Sequence, residues 1–228
     1  MDIKNYIVVS LGGSLIIPDE IDVVFLKSFV SLIKDYVGKG YKFLIITGGG
    51  KICRRYNDSL KQITDPDNED LDWLGISATR LNAELIRISF GDLAYEKVIL
   101  DPDFIPNNDN PIIVGGGWKP GNSSDLAAIH GAKNIGATRI INLSNIDFVY
   151  DKDPKIDQTA KPIDKISWAD FRLLLPNDWI PGINFPFDPI AASVAESLGY
   201  EVVILNGKNI ENIKNYLDGK EFVGTVIN

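Results

Sequence analysis

The sequence predicts an α/β protein with a mainly parallel central sheet covered by helices on both faces. Three observations carry this prediction. Short β-branched runs alternate with longer segments of helical spacing, most of the runs are apolar on both faces, and glycine clusters stand directly after three of them.

Tyr6 to Leu11 reads as the first strand and breaks into Gly12 and Gly13. Val23, Val24, Leu26, Phe29, Val30, Leu32, Ile33 and Val37 then recur with helical spacing. Tyr41 to Thr47 reads as a second strand, followed by Gly48, Gly49 and Gly50. The acidic run Thr64 to Asp72 is expected to be a long loop, and Ile76, Leu81, Leu85 and Ile88 a helix face. Lys97 to Leu100 and Pro111 to Val114 are expected strands, the latter leading into Gly115, Gly116 and Gly117. Thr138 to Leu143 and Glu201 to Leu205 complete the strand set, with a helix through Ile190, Val194 and Leu198 before the last. The proline-rich stretch Leu175 to Pro189 is a second long loop, and loops of that size are often ligand lids.

Composition narrows the function. The 228 residues suffice for one sizeable core, with 45% hydrophobic and 24% charged residues. A formal charge of −8 argues against a nonspecific nucleic-acid binder or an acidic-membrane binder, which need basic surface. An anionic ligand must therefore meet local positive potential. The single Cys53 excludes an intrachain disulfide framework and a cysteine-rich zinc site. The start MDIKNYIVV lacks the basic and long apolar regions of a signal peptide, so a reducing cytoplasm is the expected compartment.

The three glycine clusters are the strongest signal. In an open parallel sheet the ligand crevice lies beyond the carboxyl ends of the strands, so these turns are expected to converge there. Glycine lets backbone approach closely, and a helix starting after it directs N–H groups at an anion. Two phosphate-binding patterns fail. Gly50-Lys51 is followed by Ile52 and has Ile45 where a P-loop needs its first glycine, and Pro120 occupies the last glycine position of a dinucleotide fingerprint.

Six segments in order, LGGSL, ITGGGKICRRY, DWLGISATRLNAELI, VGGGWKPGNSSDLAA, LSNIDFVYDKDP and FDPIAASVAESLGYEVVILNG, run through almost the whole chain. Their order and content resemble the amino acid kinase superfamily, and within it the uridylate (UMP) kinases of archaeal type. The resemblance implies one three-layer αβα sandwich over residues 1–228. It also implies UMP binding mainly in the N-terminal part, ATP binding mainly from about residue 138, transfer of the γ-phosphoryl of ATP to UMP with Mg²⁺, and a homohexamer.

Position by position, the resemblance assigns Gly12, Gly13 and Ser14 to the ATP phosphates, Gly50 to ATP and Gly49 to UMP. Arg54 is directed at the phosphates, where a guanidinium can take two oxygens at once. Asp72 matches the acid that holds the UMP ribose. Gly117, Trp118, Lys119, Pro120, Gly121, Asn122, Ser123 and Ser124 match the UMP-phosphate loop, and Asp125 the acid that organises the reaction centre. Ser144, Asn145, Tyr150 and Asp153 match the nucleotide side of ATP. Family members usually have glycine where Phe148 stands, so the turn over the nucleotide is expected to be reshaped. Asp188 is explained as readily by helix capping, and lone His130 as a packed or surface imidazole. No protein metal ligand is assigned.

One departure bears on catalysis. Where related families often carry a lysine two residues before the first glycine, this chain has Ser10, and a hydroxyl cannot replace an ammonium at a developing phosphoryl charge. Lys51 is the expected substitute, completing a catalytic set with Arg54 and Asp125, and Lys119 is the second candidate. The missing lysine also keeps open a noncatalytic alternative on the same fold, an oxyanion-storage protein resembling molybdenum storage subunits.

Overall fold

Alternation along the strands explains the layering. In a computed structural model, which describes residues 6–154, 156–175 and 185–228, β1 (Tyr6–Leu11) sends Tyr6 and Val8 into one apolar cluster and Val9 and Leu11 into another. That is the two-residue period of a pleated strand buried on both faces. The same division holds along β2 (Lys42–Thr47), β3 (Ile112–Gly115), β4 (Arg139–Ser144) and β8 (Glu201–Asn206). These five run parallel in the order β3-β2-β1-β4-β8.

Two short strands extend the sheet beyond β8. β9 (Thr225–Ile227) pairs antiparallel with β8, and β7 (Lys165–Ile166) lies parallel to β9, so the sheet is mixed but mainly parallel. β5 (Val149–Tyr150) and β6 (Pro162–Ile163) form a separate two-stranded ribbon.

One face is covered by α5 (Ser124–Ile135), α6 (Trp168–Leu173) and α7 (Pro189–Leu198), through Leu126, Ala127, Ile129, Phe171, Ala191 and Ala195. The other face is covered by α1 (Gly13–Ile16), α2 (Val23–Gly38), α4 (Asn68–Phe90) and α8 (Ile210–Leu217). α3 (Gly50–Ile63) buries no residue and packs on α4. Helices α2, α4, α5 and α7 begin where a short polar side chain caps them: Asp22, Asp67, Ser123 and Asp188 accept from Phe25, Asp70, Leu126 and Ala191, whereas α3 follows Gly49 without a side-chain cap.

Three expectations need correction. Lys97 to Leu100 forms no strand; Ile99 makes only a single bridge to Gly115. The acidic run does not stay a loop to Asp72, because Asp67 caps α4 and the helix begins at Asn68, with Glu69 and Asp70 favourably placed in its first turn. On α4 the helical period is right but its inward face is set differently: Leu81 and Ile88 are 61% and 63% exposed, while Ala83, Ile86 and Phe90 are buried. Of the stretch Leu175 to Pro189, residues 176–184 lie outside the described residues.

Candidate active site

All five parallel strands end at one edge of the sheet, so Gly12, Gly48, Gly115, Ser144 and Asn206 lie along that edge, the side on which open parallel sheets bind ligands. The first two glycine turns interlock backbone to backbone. A Cβ on Gly13 would come within 2.0 Å of the Gly50 amide nitrogen and 2.6 Å of the Gly48 carbonyl. Only glycine fits there, and Ser14 follows in the short helix α1. The third cluster has a different job. A Cβ on Gly117 would meet Thr79 Oγ1 at 2.7 Å, so this turn is pressed onto α4.

At the start of α5, Asp125 is held from three elements. Ser10 Oγ on β1 and Asn142 Nδ2 on β4 each donate to its Oδ1 at 2.8 Å, and the Asp188 backbone N–H, at the cap of α7, reaches Oδ2 at 3.3 Å. Burial pushes the Asp125 carboxyl up to about 6; the Ser10 hydrogen bond opposes this, the neighbouring Asp188 charge adds to it, and the Asp188 amide and Asn142 oppose it.

Asp72 lies on α4 and accepts at Oδ2 from the Gly121 amide at 2.7 Å, which ties the helix to the predicted UMP-phosphate loop. Cys53 lies near both Arg54 and Asp72: burial raises its thiol pKa, the Arg54 charge lowers it and the Asp72 charge raises it. Arg54 itself is exposed. In the loop, the Lys119 ammonium sits 3.8 Å from the centre of the Trp118 ring, which in turn lies 4.9 Å from the His130 ring. His130 is 2.7 Å from Asp103 through Nδ1, so the lone histidine packs and pairs. Pro120 accepts through its carbonyl from Asn122 Nδ2, and Ser123 caps α5 ahead of Ser124.

Lys51 is turned elsewhere: its ammonium pairs with Asp19 and holds that carboxyl below the usual carboxylate range. On the far side of the crevice, Ser144 Oγ accepts from the Ile146 amide at 3.4 Å, next to Asn145. Tyr150 lies in β5 with its ring edge-on to Phe148, 6.4 Å between centroids. The Asp153 carbonyl accepts from the amides of Ile156 and Asp157.

Sequence reasoning missed the supports on α4 and on the strands. Asn82, 1% exposed, donates to the carbonyls of Gly48 and Gly49 at 2.8 and 3.3 Å. Thr79 Oγ1 accepts from the Gly117 amide at 2.6 Å, and Arg80 donates to the carbonyls of Gly117 and Trp118 at 3.1 and 3.0 Å. Polar residues on the inward stripe of α4, beside Ile76, Ala83 and Ile86, are the signal that could have found them. Among the described residues no group of three or more His, Cys, Asp or Glu could hold a metal.

Residues 5–206 match the amino acid kinase family. The chain is 35% identical to a uridylate kinase of Staphylothermus marinus over 226 residues, covering 98% of this chain and 99% of that protein. It is 32% identical to a uridylate kinase of Methanospirillum hungatei, covering 97% and 94%. The crystal structure of uridylate kinase from Archaeoglobus fulgidus matches with a TM-score of 0.81 at 31% identity, over 97% of this chain and 99% of that one.

Proposed function

The chain belongs to the amino acid kinase family, and from that premise we propose that it is a UMP kinase, transferring the γ-phosphoryl group of ATP to UMP. The observation that carries the reading is Asp125, held at the start of α5 on the carboxyl edge of the sheet by Ser10, Asn142 and the Asp188 amide. The similarity to uridylate kinases over nearly the whole chain favours the kinase over the oxyanion-storage alternative.

In this reading a phosphate oxygen of UMP attacks the γ-phosphorus in line, the bond to the bridging oxygen breaks, and ADP leaves; no covalent enzyme intermediate forms. The protein's work is placement and charge neutralisation. Gly12, Gly13 and Ser14 hold the ATP phosphates and Gly50 also contacts ATP, with Ser144, Asn145, Tyr150 and Asp153 on its nucleoside side. Gly49, Asp72 and the loop Gly117 to Ser124, including Trp118, Lys119, Pro120, Gly121, Asn122 and Ser123, hold UMP. Arg54 and Lys51 supply positive charge, Lys51 after leaving Asp19. Magnesium, when bound with ATP, neutralises charge on the phosphate oxygens.

The proposal extends to a single domain, with UMP bound mainly by its N-terminal part and ATP mainly from about residue 138, and to a homohexamer in the cytoplasm. No helix among the described residues is long and apolar enough to cross a membrane. A coupled assay of ADP release tests the function: turnover should depend on UMP and exceed that with CMP, AMP or free amino acids. Faster turnover of CMP or acetylglutamate, or none with UMP, overturns it. Light scattering tests the hexamer.

A further inference from the structure

Ser10, read from sequence as the place of a missing lysine, has a defined partner in the fold. In the parallel pairing of β1 with β4, Ser10 stands directly opposite Asn142. Both belong to the set of strand residues that includes Val8 and Ile140 and faces α5, because alternate residues share a face. Both are buried, at 2% and 5% exposure, and both donate to the same oxygen of Asp125.

A carboxylate on the first turn of a helix can adopt several rotamers, and hydrogen bonds from two adjacent strands select one. The third protein donor among the described residues, the Asp188 amide, meets the other oxygen at a longer 3.3 Å. We propose that Ser10 and Asn142 are positioning residues, a strand-borne pair that pins Oδ1 of Asp125 and leaves Oδ2 as the oxygen presented to the reacting nucleotides. This deepens the kinase reading and rests on it for the reaction. The serine is then a fixture of this active site in its own right, whichever cation supplies the charge.

The inference makes three demands. Ser10→Ala should lower kcat about ten- to a hundredfold while KM for ATP and UMP stays within about threefold, the pattern of an interaction used in the transition state. In an Asp125→Asn background the same change should have little further effect, because its target is gone. Asn142→Ala should behave like Ser10→Ala, which covers the case in which one variant fails to fold. Independently of activity, carbon-13 carboxyl titration by NMR should show the Asp125 midpoint shifted upward in Ser10→Ala, since a donor to the charged form is lost; the resonance is assigned by its absence in Asp125→Asn. Asp188 is the charged neighbour that remains in both proteins.

An unmoved Asp125 midpoint, or a Ser10→Ala loss equally large without Asp125, overturns the pairing. Should wild-type protein fail to phosphorylate UMP, the kinase reading falls, and the titration alone decides whether Ser10 holds Asp125.

Discussion

Asp72 and Gly121 are 49 positions apart in the chain, yet the Asp72 carboxylate accepts the Gly121 amide at 2.7 Å. One residue begins the second turn of a helix and the other sits in a loop with φ of +75°, so the bond fixes the loop against α4 before any ligand arrives.

Asp72→Asn is therefore expected to weaken UMP binding by about 1.5 to 3 kcal/mol, the worth of a hydrogen bond to a charged group. Calorimetric titration with UMP and with an ATP analogue checks it. An unchanged UMP affinity would detach Asp72 from the site.

Asp125 makes a prediction about stability. Its folded pKa of about 6 lies above the unfolded value of 3.8, so the folded state binds the proton more tightly. Ionising it in the fold then costs stability, a cost absent below about pH 4 and complete above about pH 6, and of order 3 kcal/mol. Asp125→Asn should abolish most activity while its Tm, compared with wild type, rises more at pH 8 than at pH 4. A Tm difference that does not vary with pH would refute the raised Asp125 pKa.

Lys51 faces Asp19, on the exposed loop after α1, and in the proposed reaction it leaves that partner for the nucleotide. Lys51→Met is expected to lower kcat by roughly 10² or more, as loss of a preorganised charge does, with ATP affinity changed less. Near-normal kcat in Lys51→Met together with loss in Lys119→Met would move the charge to the UMP-phosphate loop. If both variants stay active, Arg54 and magnesium suffice, and the account of a lysine standing in at Ser10 fails.

Arg80 bonds the carbonyls of Gly117 and Trp118. Arg80→Ala leaves them without their donor at a cost of about 1 to 3 kcal/mol. UMP affinity should fall about five- to twentyfold with ATP affinity nearly unchanged. Equal weakening of both nucleotides in binding assays would mean that the loop is not the specific target.

The layers, and the glycine turns at the carboxyl edge of the sheet, were legible in the sequence alone. Alternation along Tyr6–Leu11 and Lys42–Thr47, and glycines after them, are local properties that survive without knowledge of neighbours. It also marked Asp125 and Asp72 by their motifs. What it could not carry were relations between distant segments. Lys97 to Leu100 has strand composition, but the backbone leaves the sheet after one bridge at Ile99. Leu81 and Ile88 keep the helical period, yet the packing of α4 on β2 and β3 selects Ala83 and Ile86 for the inside. The role of Ser10 belongs to the same class. A serine on a strand is chemically mute until strand register sets it opposite Asn142 and the start of α5 brings Asp125 within 2.8 Å. Hydrogen bonds act over a few ångströms, and only the tertiary structure decides which residues, separated here by 115 positions, come that close.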